Sequence, residues 1–301
     1  MSVASRSDLA GTRVLVTGAT GFTGRHVVAQ LRDAGCKVYD LRAEDGTQTN
    51  LLDRAALKAR LAAVAPQRVV HLAAISFVAH GDAEEIYKVN IVGTRNLLEA
   101  LAELPVPPDN VLLASSANVY GNASGTLDES APLAPQNDYA VSKMAMEAMA
   151  SLWSGKLPLT IVRPFNYTGV GQDEKFLIPK IVSHFRRGAS VIELGNTDVS
   201  RDFYDVRCVA AAYLGLLALP GVGEIYNISS GEEYSLHAVV DMMRSISGRD
   251  ITVRVNPDFV RANEIKSLRG NNGKLRQRIG ELPDFDLAQT LRWMYETDPT
   301  A

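Results

Sequence analysis

Tyr139 and Lys143, in the stretch Tyr139-Ala-Val-Ser-Lys143, set a phenol and an ammonium four residues apart. On a helix, residues i and i+4 share a face, so both side chains could enter one cleft. A free phenol titrates near a pH of about 10 and is a poor acid–base group at neutrality. An ammonium ~4 Å away, at an effective dielectric of ~20, would favour the phenolate by up to about 4 kcal/mol. That would bring the phenol towards the pH at which general acid–base catalysis is most efficient. Alone, such a pair is an ordinary pair of helix-surface residues. Its meaning depends on what else the chain brings to it.

The elements that could position the pair are legible in the hydrophobic pattern. Arg13-Val-Leu-Val-Thr17, Lys37 to Leu41, Arg68-Val-Val-His-Leu72, Val111-Leu-Leu-Ala-Ser115 and Leu159-Thr-Ile-Val-Arg163 read as strands. Helical patterns lie between them, including Phe22 to Ala34, Ala83 to Leu104 and the Tyr139 helix. Apolar strands alternating with helices predict an α/β fold with a parallel sheet covered on both faces. After Asn166 the pattern loosens, and Pro179, Gly188 and Gly195 divide it into short elements. Residues 1–165 therefore read as a doubly wound domain. Residues 166–301 read as a smaller mixed α/β substrate lobe, part of which returns to the main sheet. Ser235 reads as an N-cap and Gly248 as the end of its helix.

Directly after the first strand stands Thr17-Gly18-Ala-Thr-Gly21-Phe22-Thr23-Gly24, opening a helix. Glycines there allow a tight turn and close approach of the main chain to a pyrophosphate, which the helix N-terminus then stabilises. In this strand–turn–helix context the motif predicts a bound nicotinamide dinucleotide. A carboxylate near the end of the second strand would meet a ribose 2′-hydroxyl, whereas an arginine would meet a 2′-phosphate. Both are present. Arg42 better matches the position just beyond the strand and Asp40 falls early, so NADP is favoured and NAD remains possible. Asn50 and Leu51 are placed against the adenine, with loop capping the alternative for the asparagine.

Bulk properties exclude several classes. Thirty-one basic and 34 acidic residues give a net charge of −3 without a basic block, so nucleic acid is not an expected partner. No apolar run reaches the ~20 residues that span a bilayer, and the first residues lack a signal-peptide core. A soluble cytoplasmic protein is expected. Cys36 and Cys208 are far apart, without metal-like spacing, and read as buried free thiols. No metal site is expected. His71, within a strand, reads as a satisfied core histidine. The methionines at 144, 146 and 149 read as packing residues of the helix or of a subunit interface.

Taken in order, the glycine loop, Leu72-Ala73-Ala74, Asn90, Ser116 and Tyr139/Lys143 resemble the extended short-chain dehydrogenase/reductases of the nucleotide-sugar branch. The resemblance implies a Rossmann domain holding NAD(P), with Leu72, Ala73, Ala74, Pro164 and Phe165 also at the cofactor. It implies that Tyr139 exchanges a proton with a sugar oxygen, that Lys143 binds the nicotinamide ribose and lowers the tyrosine's pKa, and that Ser116 polarises the same oxygen. Sugar 4,6-dehydratases of this kind carry a glutamate two residues beyond the catalytic Ser or Thr. Asn118 stands there, and an amide is no carboxylate base.

Arg163-Pro-Phe-Asn-Tyr-Thr-Gly-Val-Gly-Gln172, the run from Gly195 to Phe203, and Arg261-Ala-Asn-Glu264 are similar to reductases of GDP-4-keto-6-deoxy-mannose. Ala262, where proline is usual, and Cys208, where an acid is usual, depart from that pattern. The likeness implies that Ser76 approaches the sugar and Asn166 the sugar or nicotinamide region, that Lys180, Arg201 and Arg261 neutralise the diphosphate, and that Glu264 meets the guanosine ribose. Arginine forks suit phosphate oxygens and a carboxylate suits paired hydroxyls. A homodimer or homotetramer is expected from the same likeness. The competing readings are a nucleotide-sugar 4-epimerase that retains NAD and a dinucleotide-sensing regulator without turnover.

Overall fold

The computed structural model describes residues 9–43, 46–76, 82–260 and 267–297. The chain begins with β1 (Arg13–Thr17), α1 (Phe22–Asp33), β2 (Lys37–Tyr39), α2 (Arg54–Val64) and β3 (Arg68–His71). It continues with α3 (Ala83–Tyr87), a π-helical turn (Lys88–Gly93), α4 (Thr94–Ala102), β4 (Asn110–Ala114), β5 (Thr126–Leu127), α5 (Asp138–Ser151) and β6 (Leu159–Pro164). Then come β7 (Tyr167–Thr168), α6 (Leu177–Arg186), β8 (Val191–Leu194), β9 (Ser200–Arg201), β10 (Tyr204–Asp205), α7 (Val206–Leu217) and β11 (Glu224–Ile228). It closes with β12 (Tyr234–Ser235), α8 (Leu236–Ser247), β13 (Thr252–Val255), β14 (Ser267–Gly270), α9 (Gly273–Ile279) and α10 (Leu287–Glu296).

Six strands form one parallel sheet in the order β11-β6-β4-β3-β1-β2. Side chains alternate across a strand, which explains why β1 serves two cores. Val14 and Val16 pack with Val27 and Leu31 of α1 and with Tyr213 and Leu217 of α7. Leu15 turns to the other face, among Leu57 of α2, Leu97 of α4 and Met146 of α5. The result is a Rossmann-type doubly wound sheet. Although both lie beyond residue 165, α7 covers this sheet and β11 supplies its sixth strand. A further core joins α6, α8 and α10 through Ile181, Val239 and Leu291. Ser235 Oγ caps α8 by accepting from Ala238 N, and Gly248 ends it at φ 67°.

Two elements differ from the sequence reading. β2 ends at Tyr39 rather than Leu41 because the Asp40 carboxylate accepts a hydrogen bond from Arg42 N at 2.8 Å, a local turn that competes with the ladder. The long helical pattern from Ala83 to Leu104 is two helices joined by the π-helical turn. Such turns insert an extra residue and re-aim side chains, often at functional sites. Here the turn holds Asn90, which is 1% exposed.

Candidate active site

The glycine turn is built for a ligand's phosphates. Gly18 adopts φ +70°, and a Cβ there would lie 2.8 Å from Ala73 N. A Cβ on Gly24 would come within 2.1 Å of the Gly18 carbonyl, so the helix can start this close to β1 only with glycine. The N-cap of α1, Gly21, offers no side chain to the first-turn amides. Those amides and the positive end of the helix dipole suit an anion. Beside the turn, Gly18, Asp40, Asn50, Leu51 and Ala73 line a cavity of about 430 Å³. A dinucleotide would fit this cradle, with its diphosphate against the α1 N-terminus and its adenosine towards Asn50 and Leu51.

At the carboxyl end of β4, Ser116 caps the short 3-10 helix Ala117–Tyr120, its hydroxyl accepting from Asn118 N at 3.2 Å. The Ser116 hydroxyl acts on the Tyr139 phenol, favouring its ionised form. Lys143 lies 5.9 Å from the centre of the Tyr139 ring, and its Nζ donates to the Ala114 carbonyl at 2.7 Å. Burial raises the phenol well above its ordinary value, with Tyr167 adding to the effect and the Ser116 hydroxyl opposing it. The lysine-depressed phenol expected from spacing alone is thus not what this state holds. Withdrawal from water outweighs the stabilisation of the phenolate, and Lys143 spends its hydrogen bond on the main chain. Burial lowers the Lys143 ammonium to about 8, opposed by the charge of Glu147 one turn further along α5.

A continuous chain of hydrogen bonds ties the glycine turn to the Tyr139 backbone. Ala73 N donates to Thr17 Oγ1 at 3.1 Å, and that hydroxyl sits 2.7 Å from His71 Nδ1. His71 Nε2 meets Thr94 Oγ1 at 2.9 Å, and Thr94 donates to the Asn90 carbonyl at 2.8 Å. Asn90 Nδ2 donates to Ser142 Oγ at 3.0 Å, and Ser142 donates to the Tyr139 carbonyl at 2.7 Å. Since Thr17 Oγ1 already accepts from Ala73 and Thr94 Oγ1 already donates to Asn90, the neutral imidazole carries its proton on Nε2. Burial, with the charge of Lys143 second, depresses His71 to about 3. Asn90 also clamps the main chain of Ile75, so the π-helical turn braces the loop after β3.

Behind the catalytic face lies a second buried network. Glu147 pairs with Arg163 at 2.6 Å and accepts from Ser115, the neighbour of Ser116. Arg163 donates to Tyr120 OH at 3.0 Å, which in turn donates to Asn227 Oδ1 at 2.7 Å. The network fastens α5 to β4 and β6, and so holds Ser116 and Tyr139 in register.

The remaining expected residues fall in three groups. Phe22 and Thr23 open α1, the Leu72 main chain approaches Gly18, Ala74 follows in the loop after β3, and Thr23 Oγ1 bonds Tyr167 OH at 2.7 Å. Asn50 caps its own loop, accepting from Leu52 N at 2.9 Å, while lining the cavity. Pro164 ends β6, and the buried Phe165 ring packs near Tyr120, with its main-chain N–H donating to the Ile228 carbonyl. Asn166 and Ser76 are exposed. Lys180 Nζ donates to the Glu193 carbonyl at 2.8 Å and lies over Phe259, just before residues 261–266. Arg201 is buried on β9 opposite Leu268, just after them. Arg261 and Glu264 lie outside the described residues. Asp40, judged too early by counting, lines the adenosine-side cavity because β2 ends sooner than its apolar pattern suggests. Thr20, Thr49 and Val89 also line it and carried no distinct sequence signal. Among the described residues, no cluster of three or more His, Cys, Asp or Glu side chains could hold a metal. Nor is any described helix long and apolar enough to cross a membrane.

Parallel sheet, glycine turn and Ser–Tyr–Lys cluster define a dinucleotide-dependent oxidoreductase, and comparison places the chain within that class. A model described as the NAD dependent epimerase/dehydratase family matches residues 14–229, and the chain belongs to this family. It is 34% identical over 270 residues to GDP-6-deoxy-D-talose 4-dehydrogenase of Aggregatibacter actinomycetemcomitans, covering 89% of this chain and 91% of the relative. It is 32% identical to GDP-6-deoxy-D-mannose reductase of Pseudomonas aeruginosa over 93% and 95% of the two chains. Among solved structures, a provisionally named epimerase from Burkholderia cenocepacia J2315 is 49% identical, with a TM-score of 0.90 over 97% and 100% of the chains. RMD from P. aeruginosa complexed with NADPH is 31% identical, with a TM-score of 0.85 over 95% and 96%. The chain is therefore an NAD(P)-dependent enzyme of the extended short-chain dehydrogenase/reductase type.

Proposed function

We propose that this enzyme reduces the C4 ketone of a GDP-4-keto-6-deoxy-hexose, forming GDP-D-rhamnose or its C4 epimer, with NADPH as the favoured reductant. The observation that carries this reading is the meeting of Ser116 and Tyr139 beside Lys143, with Asn118 where a dehydratase would need a carboxylate. Relatives named for GDP-6-deoxy sugars support the nucleotide and the sugar class.

Bound NADPH would supply the hydride that reaches C4. Tyr139, kept protonated by burial, donates its proton to the ketone oxygen. Ser116 donates a hydrogen bond to the same oxygen as negative charge develops on it. The Lys143 ammonium then stabilises the phenolate that remains. In this reading residues 1–165 hold the dinucleotide and 166–301 the sugar nucleotide. Ser76 and Asn166 attend the sugar, Lys180, Arg201 and Arg261 the diphosphate, and Glu264 the guanosine ribose. The working form is a cytoplasmic homodimer or homotetramer.

The test is to incubate the enzyme with freshly made GDP-4-keto-6-deoxymannose and NADPH or NADH, following absorbance and identifying the sugar by NMR. One mole of NADPH consumed per mole of reduced sugar supports the reductase. A second reading, favoured by the B. cenocepacia likeness, is a nucleotide-sugar 4-epimerase. Protein purified with tightly bound NAD, interconverting C4 epimers without net reductant use, would establish it instead.

A further inference from the structure

Two cavities meet at the end of β2. The first, lined by Asn50 and Leu51, suits adenosine; the second, of about 780 Å³, lies on the other side of Ala19, Thr20 and Asp40, which line both. The second cavity is lined by Arg25, Arg32, Arg42 and Arg60, and Asp40 is the single carboxylate in its wall. A ribose in the first cavity, with its hydroxyl edge at Asp40, would direct a 2′-substituent through this shared wall into the arginine-lined space. A phosphomonoester there, carrying about −1.5 to −2 charges at neutral pH, matches that excess of cations.

The two arginines nearest Asp40 are held differently. Arg42 is spent on Asp40, with Nε 2.9 Å from Oδ2, so it can reach a ligand only by leaving that carboxylate. Arg60, from the middle of α2, donates Nε and Nη2 to the Asp40 carbonyl at 3.2 and 3.1 Å. Its guanidinium is thereby oriented beside the wall, and no partner for Nη1 is seen among the described residues. A planar fork anchored on one edge is pre-organised to give its other edge to a phosphate oxygen.

We propose that Arg60 is the specificity-determining residue for the 2′-phosphate of NADPH, with Arg42 recruited from Asp40 as its second arm. This rests on the preference for NADPH proposed above and names a residue that the glycine-loop and strand-end pattern does not include. Without the 2′-phosphate, Asp40 keeps Arg42, or exchanges it for the ribose hydroxyls of NADH.

The test needs no sugar substrate. Dissociation constants for NADPH, NADH, 2′,5′-ADP and 5′-AMP are measured by fluorescence and calorimetry on wild type, Arg60→Gln and Arg60→Lys. Loss of a charge-assisted phosphate contact should weaken NADPH and 2′,5′-ADP by about 10- to 100-fold in Arg60→Gln. NADH and 5′-AMP should be nearly unchanged, and Arg60→Lys should lie between. Equal weakening of all four ligands would mean that Arg60 only supports the Asp40 main chain, and would overturn the proposal. So would unchanged NADPH binding. A wild type without preference for NADPH would refute the cofactor preference itself, while the variant-to-wild-type ratios still decide the role of Arg60.

Discussion

Withdrawing Tyr139 and Lys143 from water pushes each towards its uncharged form, the phenol up and the ammonium down to about 8. The phenol then stays a proton donor throughout the neutral and mildly alkaline range, and the lysine is the group whose charge is lost first. The pH profile of kcat/KM with the keto-sugar should therefore fall as pH rises through about 8. A profile that is level from pH 7 to 9 would remove Lys143 from the titrating machinery. Tyr139→Phe should lower turnover by about 10²- to 10⁴-fold, the usual range for a positioned acid, while the nicotinamide dinucleotide still binds. Single-turnover reduction alongside a binding titration separates the two effects. Tyr139, Lys143 and Ser116 were legible in the sequence because spacing on a helix and position after a strand are local facts. His71 was rightly read as a satisfied core residue, but its partners were hidden. Thr17, His71 and Thr94 are brought together only by the pairing of β1 with β3 and by the π-helical turn.

Among the elements, α5 is tied to the sheet by one buried ion pair. Glu147 and Arg163 are almost wholly buried, and each has further hydrogen bonds that complete its shell. Removing one partner strands a buried charge, so Glu147→Gln should cost about 3–5 kcal/mol of stability. Replacing both with apolar residues, Glu147→Leu with Arg163→Met, should recover most of that loss. Urea unfolding of the three proteins checks this. A Glu147→Gln variant within ~1 kcal/mol of wild type would show that the pair adds nothing. Nothing in the sequence announced this pairing, since Glu147 on a helix and Arg163 on a strand meet only after β4 and β6 align. The strand starts were read well because apolar runs mark them. The early end of β2 was not, because a side-chain-to-backbone bond from Asp40 decides it.

Over the whole molecule, the Rossmann sheet was legible from alternating strands and helices, whereas of the lobe after Asn166 little beyond the caps of α8 was. Its strands are mostly two to five residues long and pair with distant partners, as β14 does with both β5 and β9. Periodicity has too few residues there to report anything. Lys180 and Arg201 were named from the family likeness, not from any local pattern. They stand beside the chain at the two ends of residues 261–266.

The neutral imidazole of His71 sets an acid limit for the whole enzyme. Its folded value of about 3 lies below the ordinary 6.5, so the unfolded chain takes up a proton that the folded state refuses. The stability involved is intact above a pH of about 6.5 and declines by about 1.4 kcal/mol per unit as pH falls towards 3. Chemical denaturation between pH 7 and 4 should show this slope, and His71→Gln should flatten it. That ring is a central link in the hydrogen-bond chain between the nucleotide cradle and the Tyr139 backbone. Acid should therefore not disarm the enzyme in stages: coenzyme release, silencing of turnover and unfolding should share one midpoint.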